Sequence, residues 1–318
     1  MKDAFPNIDT GQPALVLGAA GLDVIGRLES DLKPAASNPA RIRRSYGGVA
    51  RNIAENLARL GQPARLISVV GKDESGREVL EHTANAGVDI SSVIHSEKYP
   101  TGSYMGVVDR NGKLQYAVDD MRLLEEITPH FLQEKEALFK SSSMVFVDAN
   151  LPVKTLRAAV NLAKRAKIPI CADTASSTLA ERLVKFLPKY YLVTANSTES
   201  GILTGLSFEA ADRDAAMEAA RSLVNRGVRI ALVTLAEYGV VYATSETTGH
   251  ISAIRTRITD PTGAGDAMTA AVLFALLNDI ELDDAIRLGV SAASLTLRHP
   301  GSVYPDLTLE GLYDQLLV

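Results

Sequence analysis

Short apolar runs alternate with amphipathic helical segments along most of this chain, and few architectures accept that alternation. The runs ALVLGAAG (14–21), ARLISVVG (64–71), SMVFVDAN (143–150), IPICADT (168–174), YYLVTAN (190–196) and RIALVTLA (229–236) read as buried strands. Between them, GVARNIAENLARLG (48–61), GREVLEHTANAG (76–87), VKTLRAAVNLAKRAK (153–167) and DAAMEAARSLVNRG (214–227) repeat apolar residues at helical spacing. Two further helices follow over 264–278 and 282–297, with small and apolar faces. Strands that are apolar throughout, separated by helices, predict an α/β fold: a mostly parallel central sheet with helices on both faces.

Composition narrows the function classes. With 318 residues, 46% hydrophobic and 22% charged, the chain is long enough to bury a full core as a single domain over 1–318. A formal net charge of −5 favours neither a nucleic-acid polymer nor an anionic membrane as partner. No apolar run reaches the roughly 20 residues of a membrane span. The opening MKDAFPNIDTGQP has no apolar stretch of the secretory kind, so a cytoplasmic location is expected. The single cysteine, Cys171, lies in an apolar run and is expected to be a buried, inert thiol. The histidines (82, 95, 130, 250, 299) have no metal-ligand spacing.

Two segments, about 22–46 and 99–120, interrupt the α/β pattern. The first is polar, Pro-bearing and too irregular for a core helix; the second predicts a hairpin over 101–119 with its turn at 109–112. Together they are expected to form a small β lid over the active face. An open edge on such a lid suggests pairing with a second copy, a homodimer through these segments.

The residues that carry chemistry fall where an open α/β sheet puts its ligands, at the carboxyl ends of the strands. Asp23 follows the first strand, Gly47 and Gly48 precede the helix carrying Asn52, and Asn150 ends VFVDAN. Asn196 and Glu199 follow YYLVTAN, and Thr234 ends ALVT. The stretch DPTGAGDA (260–267) then opens an apolar helix. A helix start presents unpaired N–H groups and a positive dipole end, so Gly263, Ala264 and Gly265 make a candidate anion hole with Asp266 as an adjacent base. Each of these residues can also serve as a plain cap or turn residue.

The order of Gly18–Asp23, GGVARN (47–52), NSTE (196–199), TLAEYG (234–239) and DPTGAGDA resembles the ribokinase, or PfkB-type, carbohydrate kinase family over about residues 14–316. The resemblance implies ATP-dependent phosphorylation of a sugar or nucleoside hydroxyl. In it Asp266 is the base, and Gly263, Ala264 and Gly265 hold the transferring phosphoryl group. Asn196 and Glu199 organise Mg²⁺ through its waters, and Thr234 and Gly239 bind the nucleotide. Asp23, Gly47, Gly48 and Asn52 hold the substrate's hydroxyls. Asp260, Thr262, Arg298 and Gly301 correspond to a monovalent-cation site, usually K⁺. Val49, Ala50 and Arg51 depart from the usual Lys and Gly after the paired glycines, and Ala236 stands where Gly is frequent. GGVARNIAENLARLG and VFVDANLP most resemble the branch acting on the 5′-hydroxyl of the C-linked nucleoside pseudouridine, with Asn150 and Thr101 near the base. A dinucleotide-dependent dehydrogenase would need G-x-G-x-x-G after the first strand, where GAAGLDVIG stands instead. The remaining alternatives are another ribokinase-type sugar or nucleoside kinase (for ribose, fructose or an adenosine-like nucleoside) and a ligand-binding member without activity.

Overall fold

The computed structural model describes residues 9, 11–110 and 112–317. The expectation for the N-terminal segment falls largely on residues 1–8 and 10, and the centre of the 109–112 turn on Asn111; both lie outside the described residues.

In chain order, β1 (Ala14–Leu17) leads to β2 (Gly21–Leu28) and β3 (Ala40–Gly47), then α1 (Val49–Arg59) returns to β4 (Ala64–Ile67). Next come β5 (Val69–Gly71), α2 (Glu74–Asn85), β6 (Ile94–Ser96) and the hairpin β7 (Gly102–Val108) and β8 (Leu114–Asp120). Helices α3 (Pro129–Glu134) and α4 (Glu136–Lys140) precede β9 (Met144–Asp148), α5 (Val153–Ala166) and β10 (Ile170–Asp173). The chain continues through β11 (Leu192–Asn196), α6 (Ser197–Thr204), α7 (Arg213–Asn225), β12 (Ile230–Thr234), β13 (Val240–Ala243) and β14 (Thr248–Ile251). It closes with α8 (Ala264–Leu277), α9 (Leu282–Arg298) and α10 (Leu309–Leu316).

The main sheet has the order β14-β13-β12-β11-β10-β9-β1-β4. Strands β4, β1, β9, β10, β11 and β12 run parallel, and β13 and β14 form an antiparallel edge. Successive side chains of a strand point to opposite faces, so Ala14 and Val16 enter the core shared with α1, α2, α8, α9 and α10. Leu15 and Leu17 enter the core shared with α3, α4, α5, α6 and α7. That two-sided burial is why the strands read as continuous apolar runs. Cys171 is buried, and burial pushes its thiol well above the ordinary range, as an inert group requires. Among the described residues no helix is long and apolar enough to cross a membrane.

Several boundaries differ from expectation for local reasons. The run 14–21 breaks at Gly18, where a Cβ would come within 2.1 Å of the Asp148 carboxylate. The run 64–71 breaks at Ser68, whose hydroxyl donates to the Gly18 carbonyl at 2.6 Å. Segment 22–46 holds two strands rather than an irregular excursion. β3 reads as polar because much of it is exposed, and pairing with β2 fixes its conformation. Strands β13 and β14 were not anticipated.

The four-stranded second sheet, β3-β2-β7-β8, has two contrasting faces. By register Gly26 lies beside Ile42 and Val107, Val107 faces Tyr116, and Met105 faces Val118. This face exposes Ile42, Met105, Tyr116 and Val118. The alternate positions carry Asp23, Tyr104, Asp119 and Arg43.

One carboxylate joins the layers. Asp148, at the end of β9, is fully buried; its Oδ2 accepts from the Ala19 and Ala50 amides at 2.8 and 3.1 Å, and its Oδ1 from the Asn150 amide at 2.9 Å. Asp148→Ala leaves these backbone donors without their acceptor and is expected to cost about 3–5 kcal/mol. Denaturant unfolding measures it, and a change below about 1 kcal/mol would show that water or a shifted neighbour replaces the carboxylate.

Candidate active site

The parallel register brings one polar residue per strand to the same sheet edge: Asp148 lies beside Asp173, and Asn196 beside Thr234. α8 starts above this edge. Its N-cap, Gly263, adopts a left-handed φ of 75°, and a Cβ there would come within 1.9 Å of the Ser302 carbonyl, so only glycine fits. The first intrahelical bond runs from the Ala267 amide to the Gly263 carbonyl at 2.9 Å. The amides of Ala264, Gly265 and Asp266 therefore precede the helical ladder, as an anion hole requires. A Cβ on Gly265 would meet nothing within 4 Å; it would project into open space beside these amides.

A cavity of about 500 Å³ adjoins that helix start, lined by Asn196, Thr234, Gly239, Ala264 and Gly265, with Ile254, Met268, Val290 and Leu297 as its apolar wall. Four of the six residues expected around a nucleotide (Asn196, Thr234, Gly239 and Gly265) thus share one cavity, while Glu199 and Gly263 do not line it. Ala236 also lines it, with a left-handed φ of 51°. The backbone shape that usually selects glycine is kept there despite the Cβ, at a cost of about 1–2 kcal/mol.

Asp266 receives a hydrogen bond from Asn52 Nδ2 at 2.6 Å. Burial, followed by the charges of Asp23 and Asp148, pushes its pKa up to about 7, against the opposing pull of Asn52 and Arg51. A carboxyl that ionises near neutrality suits a general base. Asp23, 6% exposed, is pushed up to about 6 by burial, and Gly47 and Gly48 form the turn beside it into α1. Asn52 Oδ1 accepts from Arg51, which also donates to the Gly47 and Tyr46 carbonyls at 3.0 and 2.9 Å and to the Ser302 hydroxyl at 3.3 Å. Arg51 pairs with Glu55, which Arg59 and His82 also contact. Burial alone would raise Glu55, but His82, Arg51 and Arg59 outweigh it and hold the carboxylate at about 2.

Glu199 closes a capping box with Asn196: Glu199 Oε2 accepts from the Asn196 amide, and Asn196 Oδ1 from the Glu199 amide, both at 2.9 Å. The same Oε2 accepts from the Thr174 hydroxyl at 2.6 Å. Asp173, which sequence reasoning passed over, is pushed well above the carboxylate range by burial and then by Asp266 and Glu199. Among the described residues no cluster of three or more His, Cys, Asp or Glu is placed to hold a metal directly, so a Mg²⁺ ion at this edge would be held through its waters.

Other expected residues lie elsewhere. Asn150 lines a separate cavity of about 620 Å³ with Asp119, Asp120, Met121 and Arg182. Thr101 donates to Asp73 Oδ1 at 2.5 Å and accepts from the Gly71 amide at 3.0 Å, so its hydroxyl anchors α2 instead of facing a ligand. Asp260, Thr262 and Gly301 do converge, with the Thr262 amide on Oδ1 at 3.0 Å and the Gly301 amide on Oδ2 at 3.1 Å. Yet the Asp260 carboxylate is ion-paired with Arg43, and Arg298 turns away to Thr256. This set does not fit a K⁺ ion.

The model of the pfkB family carbohydrate kinases matches residues 13–309. The chain therefore belongs to the pfkB family of carbohydrate kinases, ATP-dependent phosphotransferases acting on sugars and nucleosides. It is 28% identical over 296 residues to the pseudouridine kinase of Escherichia coli strain K12, covering 93% of each chain. It is 30% identical over 284 residues to the guanosine-inosine kinase of Exiguobacterium acetylicum, covering 88% of this chain and 92% of that one. Arabidopsis thaliana ribokinase, solved with ribose and ATP, superposes with a TM-score of 0.84 at 22% identity, covering 97% and 99% of the two chains. That superposition bears on the fold alone.

With Asp266 as the base that the resemblance implies, kcat/KM is expected to fall about tenfold per pH unit below an apparent pKa near 7. Asn52→Ala removes a contact that favours the ionised form, so this limb should move to higher pH. Asp266→Asn should cost about 10²–10⁴-fold in kcat. The folded pKa exceeds the unfolded one, so Asp266 contributes stability at low pH that is lost as pH rises through about 7. At pH 8 the Asn variant should therefore melt a few degrees higher than the parent. A pH–rate profile unaltered in Asn52→Ala would dissociate this pair from catalysis.

Proposed function

We propose that the protein transfers the γ-phosphoryl group of ATP to the 5′-hydroxyl of a nucleoside, pseudouridine foremost. The observation that carries this reading is the Asn52–Asp266 contact, set beside an open helix start and a cavity of nucleotide size. The Asp266 carboxylate accepts the hydroxyl proton, the freed oxygen bonds to the γ-phosphorus, and the bond to the β–γ bridging oxygen breaks, releasing ADP. The amides of Ala264, Gly265 and Asp266 face the charge on the moving group. Mg²⁺, when bound, offsets phosphate charge, and Asp173, Asn196 and Glu199 are the residues that would hold it through its waters. Asp23 and Asn52 hold the ribose.

Similarity to two nucleoside kinases supports a nucleoside over a free sugar. Base reading by the Asn150 amide, which lies with residues 119–121 in a separate cavity, rests on the resemblance. The guanosine-inosine kinase at 30% identity keeps a purine nucleoside as the second reading. An assay of pseudouridine, uridine, inosine, guanosine and ribose separates them. Pseudouridine should exceed ribose by at least about 10²-fold in kcat/KM, since a site built to hydrogen-bond a base leaves polar groups unpaired without one. Asn150→Ala should lower pseudouridine turnover more than any ribose turnover. Ribose as the best substrate, or equal losses on both, would move the assignment to a sugar kinase.

The second sheet is proposed to act as a lid and, through its exposed face, to pair two copies. Ile42, Met105, Tyr116 and Val118 form an apolar patch on one side of a four-stranded sheet whose edges are β3 and β8. Light scattering at micromolar concentration should give a dimer, and Tyr116→Lys should shift it to monomer; a monomeric, fully active parent would refute the pairing.

A further inference from the structure

Two arginines of the second sheet reach the loop that leads into α8. Arg43, on β3, pairs with the Asp260 carboxylate, and Arg27 Nη2, on β2, donates to the Thr259 carbonyl at 3.4 Å. Alternation along the strands puts both on the face that carries Asp23 and Tyr104. Asp260 is 2% exposed. A carboxylate this deep is either paired with a cation or shifted toward its neutral form, and here a guanidinium is at hand. Its remaining partners are the neutral amides of Thr262 and Gly301. Among the described residues, Arg43 is the one ion-pair partner it has.

The location gives the pairing a consequence. Asp260 stands three residues before Gly263, the N-cap of α8, whose first amides face the transferring phosphoryl group in the kinase reading on which this inference rests. An uncompensated negative charge there would oppose the developing charge on that group. We propose that the Arg43 guanidinium supplies, from β3, the positive charge that the family resemblance assigns to K⁺, so that turnover is independent of monovalent cations. Because the charge arrives on the second sheet, neutralisation of Asp260 is complete only when that sheet lies against the 259–262 loop.

The test compares kinase rates and thermal midpoints in KCl, NaCl and choline chloride at equal ionic strength, for the parent, Arg43→Ala and Arg43→Lys. The parent should vary by less than about twofold among the salts and show no K⁺-specific rise in midpoint. Arg43→Ala should lose about tenfold or more in choline, the scale on which one charge contact matters to a transition state. K⁺ should recover part of that loss and raise the variant's midpoint. Arg43→Lys, which keeps the charge, should stay independent of K⁺ and remains informative if the alanine variant does not fold. A parent that loses more than about tenfold without K⁺ would overturn the proposal, as would an Arg43→Ala variant matching the parent in every salt or a K⁺-dependent lysine variant. Absence of phosphorylation of every substrate would sink the kinase reading instead, while the salt-specific midpoints would still report whether Arg43 occupies the cation's place.

Discussion

The Asp148 carboxylate is the contact on which the arrangement of the site depends. It sits at the end of β9, next to β1, where the strand order turns back toward β4. There it accepts from the end of β1 through Ala19 and from the start of α1 through Ala50. Helix α1 begins at Gly48 with no side-chain cap of its own, so a residue nearly a hundred positions away fixes where the helix starts. That anchorage decides where Asn52 lies, and Asn52 decides the surroundings of Asp266. Burying a charge is costly, but a helix N-terminus and three amides favour the ionised form in return.

A second buried network orients what Asp148 places. Arg51 and Glu55 are each 1% exposed and pair with each other, and Arg59 and His82 also contact the Glu55 carboxylate. Arg51 donates to Asn52 Oδ1, which leaves Nδ2 to face Asp266. A swapped amide would put oxygen against carboxylate and nitrogen against guanidinium, two repulsive contacts, so the amide has one stable orientation. Removing one partner of such a network leaves a charge buried alone, which costs far more than the pair contributes. The departure from the Lys-Gly pattern at positions 49–51 thus carries a structural role of its own.

Much of the fold was legible because two physical periods are hard to disguise. Fully buried strands read as unbroken apolar runs, and α1, α2, α5 and α7 follow helical spacing closely. Less legible were the strands whose conformation is set by pairing rather than composition. β3, with the sequence ARIRRSYG, is polar and half exposed, and nothing local marks it as a strand. Around the site, DPTGAGDA could be read directly, because a helix start with paired glycines and an acid is a local chemical statement. Thr101 could not: its hydroxyl resembles a ligand contact until Asp73, 28 positions away, is seen to claim it. Asp148 and Asp173 end their strands as acids that sequence reasoning did not single out, because their weight comes from burial and from neighbours on other strands.

By itself the sequence determined the layered α/β architecture, the Gly-bounded helix start and the identity of the acid beside it. These follow from residue type and spacing, through burial periodicity and the conformations open to glycine. Tertiary structure alone decided which partners those groups keep. Asp266 ionises near neutrality because burial and the charges of Asp23 and Asp148 outweigh Asn52 and Arg51. Asp260 faces an arginine because the second sheet folds across it. Such outcomes depend on distances between residues far apart in the chain and on how completely water is excluded from between them, and no local pattern encodes either.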